Sequence, residues 1–129
     1  MKKLLILTLF LGILLTACGE SGENNTEAVY LNITAEEARA LMDAEEGYII
    51  LDVRTQEEYD AGHIPGAVLI PHTEIAQRAE TELPDKDQLI LIYCRSGNRS
   101  RQAAEILVEL GYTNIREFGG INSWPYEIE

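Results

Sequence analysis

Basic residues are scarce in this chain. Ten Lys and Arg face 22 Asp and Glu, a formal net charge of −12 over 129 residues. An excess of that sign repels nucleic-acid phosphates and anionic headgroups, so no nucleic-acid partner is expected, and charge would not hold the chain on a membrane. Cysteine is scarcer, with two residues, and histidine also occurs only twice. Such a set does not make a ligand cluster for zinc or iron, so no metal site is expected. Repeats are absent as well.

What is present begins with the start of the chain. "MKK" is basic, and "LLILTLFLGILL" (Leu4 to Leu15) is an apolar run too short to span a bilayer comfortably as a mature helix. "LTAC" places small residues directly before Cys18. This is the layout of a secretory signal peptide. Its end resembles a bacterial lipobox, in which the signal is cut before the cysteine and the thiol receives a diacylglyceryl group. An ordinary signal peptide or an uncleaved anchor is the alternative. The lipobox reading assigns residues 1–17 to a lipoprotein signal peptide and 18–28 to a lipidated Cys18 with a flexible, Gly/Ser/Asn/Glu-rich tether. The expectation is an exported bacterial lipoprotein, lipid-anchored to the cell envelope on its periplasmic or outer cell-surface side.

Without those 17 residues, 112 of the 129 remain, enough for one domain with one core. Two lysines and no acid leave with them, which takes the net charge to −14. With Cys18 used as a thioether, Cys94 has no partner and no intramolecular disulfide can form. A single unpaired thiol in an exported domain is a candidate for chemistry, because oxidising compartments pair or eliminate cysteines.

Short apolar runs then alternate with helical patterns. "VYLNI" reads as an edge strand. "TAEEARALMDAEEG" has Thr34 as N-cap, Glu37 completing a capping box, and Gly47 as its stop. "YIILDV" (Tyr48 to Val53) is apolar on both faces, as in a parallel sheet. "TQEEYDAG" is a short helix, "AVLI" a strand, and "HTEIAQRAETEL" a helix ended by Pro84. "QLILIY" (Gln88 to Tyr93) is the clearest buried strand. "SRQAAEILVEL" sets Ala103, Ile106, Leu107 and Leu110 on one face, and "NIREF" is a last strand. Strands alternating with helices define an α/β domain with a parallel sheet, whose sites lie at the carboxyl ends of its strands. Cys94 sits at one such end.

A cysteine attacks as the thiolate, so something must hold negative sulfur. The stretch "YCRSGNRS" offers three devices. It immediately precedes a helix, whose first N–H groups and dipole favour an anion. Gly97 permits the positive φ that curls successive amides into a nest. Arg95 and Arg99 add cationic charge. An inert core thiol would need none of these, and the strand end is expected to leave Cys94 open to solvent. Arg101 and Glu105 are spaced for a surface pair, and Asn98 and Ser100 read as turn and cap residues.

Three motifs now carry a resemblance. "LDVRTQEEY" leading into "YDAGHIPGAVLI", then "CRSGNRS", then "GGINSW" resemble, in that order, the motifs of the rhodanese (sulfurtransferase) superfamily, and together they cover roughly residues 29–126. The resemblance makes residues 29–129 a rhodanese domain: a mainly parallel central sheet flanked by helices on both faces. It implies that a cysteine takes a sulfane sulfur from a small donor, forms a persulfide, and passes it to cyanide or a thiol. By position Cys94 is the persulfide-forming residue. The backbone of Arg95, Ser96, Gly97, Asn98, Arg99 and Ser100 would cradle the substrate anion, with the Arg95 side chain in contact. No metal and no cofactor is implied. The partners implied are a small sulfur-containing anion and a thiol acceptor, either a small molecule or a redox protein.

Phosphatases and arsenate reductases of related fold place five residues between their cysteine and a phosphate-gripping arginine. Here Arg99 comes after four, and Ser100 holds the arginine's place, which favours sulfur over phosphorus. Two basic side chains by the sulfur suit a small dianion, so thiosulfate is the expected donor. The rival reading is a persulfide carrier without turnover, or a module that binds a partner. Other polar residues read as structural: His63 and Pro65–Gly66 as a turn, His72 as a helix start, Asp52 and Arg54 as a buried ion pair. Gly119 and Gly120 read as points of close backbone approach, and Trp124 as packing.

Overall fold

In the computed structural model, which describes residues 29–129, the apolar runs become five strands of one sheet. The expectations for the signal peptide, Cys18 and the tether fall on residues 1–28, outside those described. The strands are β1 (Leu31–Asn32), β2 (Ile49–Asp52), β3 (Val68–Leu69), β4 (Ile90–Cys94) and β5 (Ile115–Gly120), in the order β1-β5-β4-β2-β3. Every pairing is parallel. The helices between them are α1 (Ala35–Ala44), α2 (Gln56–Ala61), α3 (Ile75–Glu82) and α4 (Asn98–Glu109).

Strand β4 lies at the centre, and all five of its residues are buried. Its side chains alternate between two cores, as the twofold period of a strand requires. Ile90, Ile92 and Cys94 pack with Ile75 and Ala79 of α3 and Ala103, Ala104 and Leu107 of α4. Leu91 and Tyr93 pack on the opposite face with Ala35 and Ala38 of α1, Phe118 and Trp124. Trp124 is thus a packing residue, with its ring 5.5 Å from that of Phe118.

Several element ends and caps differ from the sequence reading. The helix expected from His72 starts as a single 3₁₀ turn, and α-helix begins only at Ile75. The cause is that the His72 amide still bonds the Val53 carbonyl at 2.9 Å, so the chain has not yet left the sheet. The expected strand 88–93 runs instead from Ile90 to Cys94 and delivers the cysteine from within the ladder. At α1, Thr34 Oγ1 accepts the Glu37 amide at 3.0 Å. The reciprocal capping box forms at α2 instead, between Thr55 and Glu58. It bears directly on the site.

The carboxyl edge of β2 is pinned by a buried network. Asp52 and Arg54 form the expected ion pair, with Arg54 Nη2 at 2.7 Å from Asp52 Oδ2, and the guanidinium also donates to the Gly62 carbonyl at 2.7 Å. Tyr93 Oη donates to Asp52 Oδ2 at 2.7 Å and accepts the Ile64 amide at 3.1 Å. Burial and the bond to Asp52 push the Tyr93 phenol upward, which keeps it a donor. The motif around His63 is tied to the sheet in this way. His63 Nδ1 lies 2.9 Å from the Tyr59 carbonyl, and its ring stacks on that of Tyr59 at 3.8 Å. This is the turn-holding role expected of it.

Tyr93→Phe should cost about 1–3 kcal/mol, because it leaves the buried Ile64 amide without its acceptor and Asp52 short of a donor. Urea unfolding checks this through a lower midpoint at unchanged slope. A midpoint equal to wild type would contradict the network's role.

Candidate active site

Strand β4 ends on Cys94, and helix α4 starts four residues later. That short link has to reverse the backbone, and Gly97 makes the reversal at φ +104°, as N-cap of α4. The turn points the Gly97 amide back at the sulfur, 3.0 Å from Sγ. The amides of Ser96 and Ser100 add to it, and the Ser100 hydroxyl lies 3.4 Å from Sγ. Burial pushes the Cys94 thiol up, but the Ser100 hydroxyl and these three amides outweigh it and bring the thiol below its ordinary value. The nest expected from the sequence is therefore present around the sulfur.

The loop departs from expectation in three respects. Cys94 is not open at the strand end: it is 1% exposed, with the loop folded over it. Ser100 is more than a cap residue, being fully buried and bonded toward the sulfur. The Arg99 side chain is already engaged. Its Nη1 and Nη2 meet Glu58 Oε1 and Oε2 at 2.6 and 2.8 Å, a bidentate pair joining α4 to α2. Arg95 and Ser96 are exposed, as is Asn98. Among the described residues no ion pair holds Arg95. Its side chain lines an open hollow of about 380 Å³, with Arg54, Glu58, Ile121, Asn122 and Ile128 among the other walls. Arg95 is thus a loop cation left available to an incoming anion. The expected Arg101–Glu105 pair does not form among the described residues.

The loop is braced from β5. Opposite the site the β4–β5 register slips, with Ile92 facing Glu117 but Cys94 facing Gly120. One extra residue of β5 is accommodated there as a bulge, and Gly119 adopts φ +85°. Gly120 then lies directly under the loop. A Cβ built on it would land on the Arg95 carbonyl, so only glycine allows this approach. The Asn122 amide bonds the same carbonyl at 3.2 Å.

Two acids that brace the Cys94 loop were not singled out from the sequence. Glu58 was legible only as a helix-start acid, although its capping partner Thr55 stands three residues before it. Glu117 is 3% exposed, and its Oε1 lies 2.6 Å from Ser100 Oγ. The signal for it was available in "NIREF". Alternation puts position 117 on the same buried face as Ile115, where an aliphatic side chain would be the default.

Comparisons with known proteins agree with this architecture. A model of the rhodanese-like domain matches residues 34–126. The thiosulfate sulfurtransferase PspE of Escherichia coli is 44% identical over 71 residues, covering 55% of this chain and 68% of PspE. The putative sulfur carrier protein YrkF of Bacillus subtilis is 37% identical over 112 residues, covering 86% of this chain, which spans 59% of YrkF. A solved rhodanese with anions from E. coli superposes with a TM-score of 0.60 at 38% identity, covering 64% of this chain and 96% of that one. A rhodanese-related protein of Thermoplasma volcanium gives 0.67 at 30% identity, covering 78% and 98%. The chain belongs to the rhodanese-like domain family.

The bond to Arg99 holds the Glu58 carboxyl well below its ordinary 4.5, at about 2. A carboxylate depressed in the folded state adds stability above its unfolded value and loses it as pH falls toward the folded one. Glu58→Gln should therefore be less stable than wild type at neutral pH by on the order of 2 kcal/mol, given partial exposure of the pair. The difference should shrink between pH 4.5 and 2. Urea midpoints across that interval check this. A gap that stays constant with pH would contradict it.

Proposed function

We propose that the protein is a rhodanese-type sulfurtransferase in which Cys94 carries sulfur as a persulfide between a small anionic donor and a thiol or cyanide acceptor. The observation that supports this reading most is the ring of backbone donors on Sγ. The Gly97 amide lies at 3.0 Å, joined by those of Ser96 and Ser100, and all are aimed at one negative atom. In the first step the thiolate attacks the sulfane sulfur of thiosulfate. A sulfur–sulfur bond forms, the donor's own breaks, and sulfite leaves with the electron pair. Charge is conserved, and the terminal sulfur anion takes up the same field that held the thiolate. In the second step an acceptor thiolate or cyanide attacks that terminal sulfur, and Cys94 leaves as thiolate. A low thiol value helps both steps, since Cys94 is nucleophile in one and leaving group in the other.

Arg95 is the side chain proposed to meet the donor's oxygens at the mouth of the hollow, and Arg99 acts through its pair with Glu58. The donor reading rests on charge and loop length: Ser100, not arginine, occupies the place of a phosphate-gripping arginine, and that serine is buried in hydrogen bonds. PspE is named a thiosulfate sulfurtransferase. The carrier reading stands second, favoured by the name of YrkF. The proposal also retains export and lipid attachment at Cys18, on the pattern of the first 18 residues.

Intact mass of the chain treated with thiosulfate should show the addition of one sulfur atom, and Cys94→Ser should show none. Failure to gain sulfur from any sulfane donor would overturn the reading. With cyanide or a dithiol present, repeated turnover marks an enzyme, and one sulfur per chain marks a carrier.

A further inference from the structure

The Ser100 hydroxyl has one proton and several acceptors. Glu117 Oε1 lies 2.6 Å away, the Gly97 carbonyl 3.0 Å and the Gly119 carbonyl 3.3 Å, while Cys94 Sγ, at 3.4 Å, donates to the same hydroxyl oxygen. A carboxylate at 2.6 Å takes that proton against neutral carbonyls, because a charged acceptor makes a shorter and stronger bond. Ser100 then turns a lone pair toward the sulfur. A thiol can donate to that lone pair, whereas a thiolate has to draw the hydroxyl proton away from Glu117, which weakens the help Ser100 gives it.

Glu117 is unusual in its surroundings. It sits inside the sheet, 3% exposed, paired in register with Ile92 and Asn32. An isolated buried carboxylate is costly, so it must be satisfied locally. Ser100 Oγ and the Gly119 amide, at 2.8 Å, both donate to the same oxygen, Oε1. Among the described residues no cation lies within ion-pair distance of it. Its charged or titratable neighbours are Arg101 and Glu105 of α4, Glu36 of α1, and Tyr30 ahead of β1. On the sulfur side stand Arg99 with Glu58 of α2, Arg95 of the loop, and Asp52 with Arg54 at the end of β2.

We infer that Glu117 is a positioning residue for Cys94: by holding the Ser100 proton it withholds that proton from Sγ, disfavouring the bare thiolate relative to the sulfur-carrying state. In the persulfide the charge moves to the terminal sulfur, one bond farther from Ser100. Sγ then no longer competes for the proton, and Glu117 keeps it at no cost. The loop amides favour negative sulfur in both states, whereas Glu117 discriminates between them. The persulfide consequence rests on the proposed sulfur transfer; the effect on the Cys94 thiol does not.

The test is peptide-resolved alkylation of Cys94 against pH, in wild type, Glu117→Gln, Ser100→Ala and the double variant, each shown to melt cooperatively. Glu117→Gln should shift the midpoint toward acid by roughly one pH unit, about a tenfold gain in rate below the midpoint. Ser100→Ala should shift it toward alkali more in the Glu117→Gln background than in wild type, because there the sulfur no longer competes with a carboxylate for the hydroxyl proton. An unchanged or alkaline shift in Glu117→Gln overturns the inference. Strictly additive shifts also overturn it, since they would leave only a through-space charge effect. Should Glu117→Gln not fold, Glu117→Asp keeps the charge but withdraws the oxygen; an acid shift is again expected, and its absence would refute the inference. At a fixed thiosulfate-to-sulfite ratio, Glu117→Gln should also hold less persulfide than wild type. A wild-type chain that gains no sulfur would sink the sulfur-transfer reading, and the alkylation series would still decide the role of Glu117.

Discussion

The hydrogen bond from the Gly97 amide to Cys94 Sγ, 3.0 Å long, is the constraint around which the site is built. It exists because a central parallel strand ends and a helix begins within four residues, and a left-handed glycine makes the reversal. A different residue at 97 would be strained at φ +104°, and its Cβ would also meet the Arg101 side chain at 3.1 Å. The first amides of α4 have no helical partners of their own, and the sulfur is one group that receives them. The site thus uses donors that any helix start has to satisfy.

The braces around that turn come from elsewhere in the chain. Gly120 lets β5 press against the Arg95 carbonyl, Glu58 holds Arg99 from α2, and Glu117 holds Ser100 from inside the sheet. Among the described residues Arg95, unlike Arg99, is held by no ion pair. The donors at the sulfur are therefore mostly backbone dipoles, with Arg95 exposed on the loop beside them. Under the proposed sulfur transfer, that arrangement suits a small anion that must enter, give up one atom and leave, since a tightly paired dianion would be slow to depart.

What could be read from the chain follows the distance over which each interaction acts. The parallel sheet and the Cys94 loop at its carboxyl edge were legible, because buried strands read as continuous apolar runs and the loop is contiguous. The Asp52–Arg54 pair spans two residues and was legible too. Glu58 and Glu117 were not, as they reach the loop across 41 and 17 positions. Nothing local distinguishes them from surface acids except capping at one and alternation at the other. The same limit explains the burial of Cys94: topology places it at an open edge, but the closing of the loop over it depends on Gly120 and Asn122. Strands β1 and β3 have two residues each, and their extents are set by their partners in the sheet.

The central claim is that the loop amides lower the Cys94 thiol despite its burial. Thiolate ultraviolet absorbance against pH tests it most directly, with the Cys94→Ser chain as blank so that any signal from Cys18 is subtracted. The account predicts a midpoint below the ordinary cysteine value of about 8.5. A midpoint at or above that value would mean that burial outweighs the amides, and would contradict it.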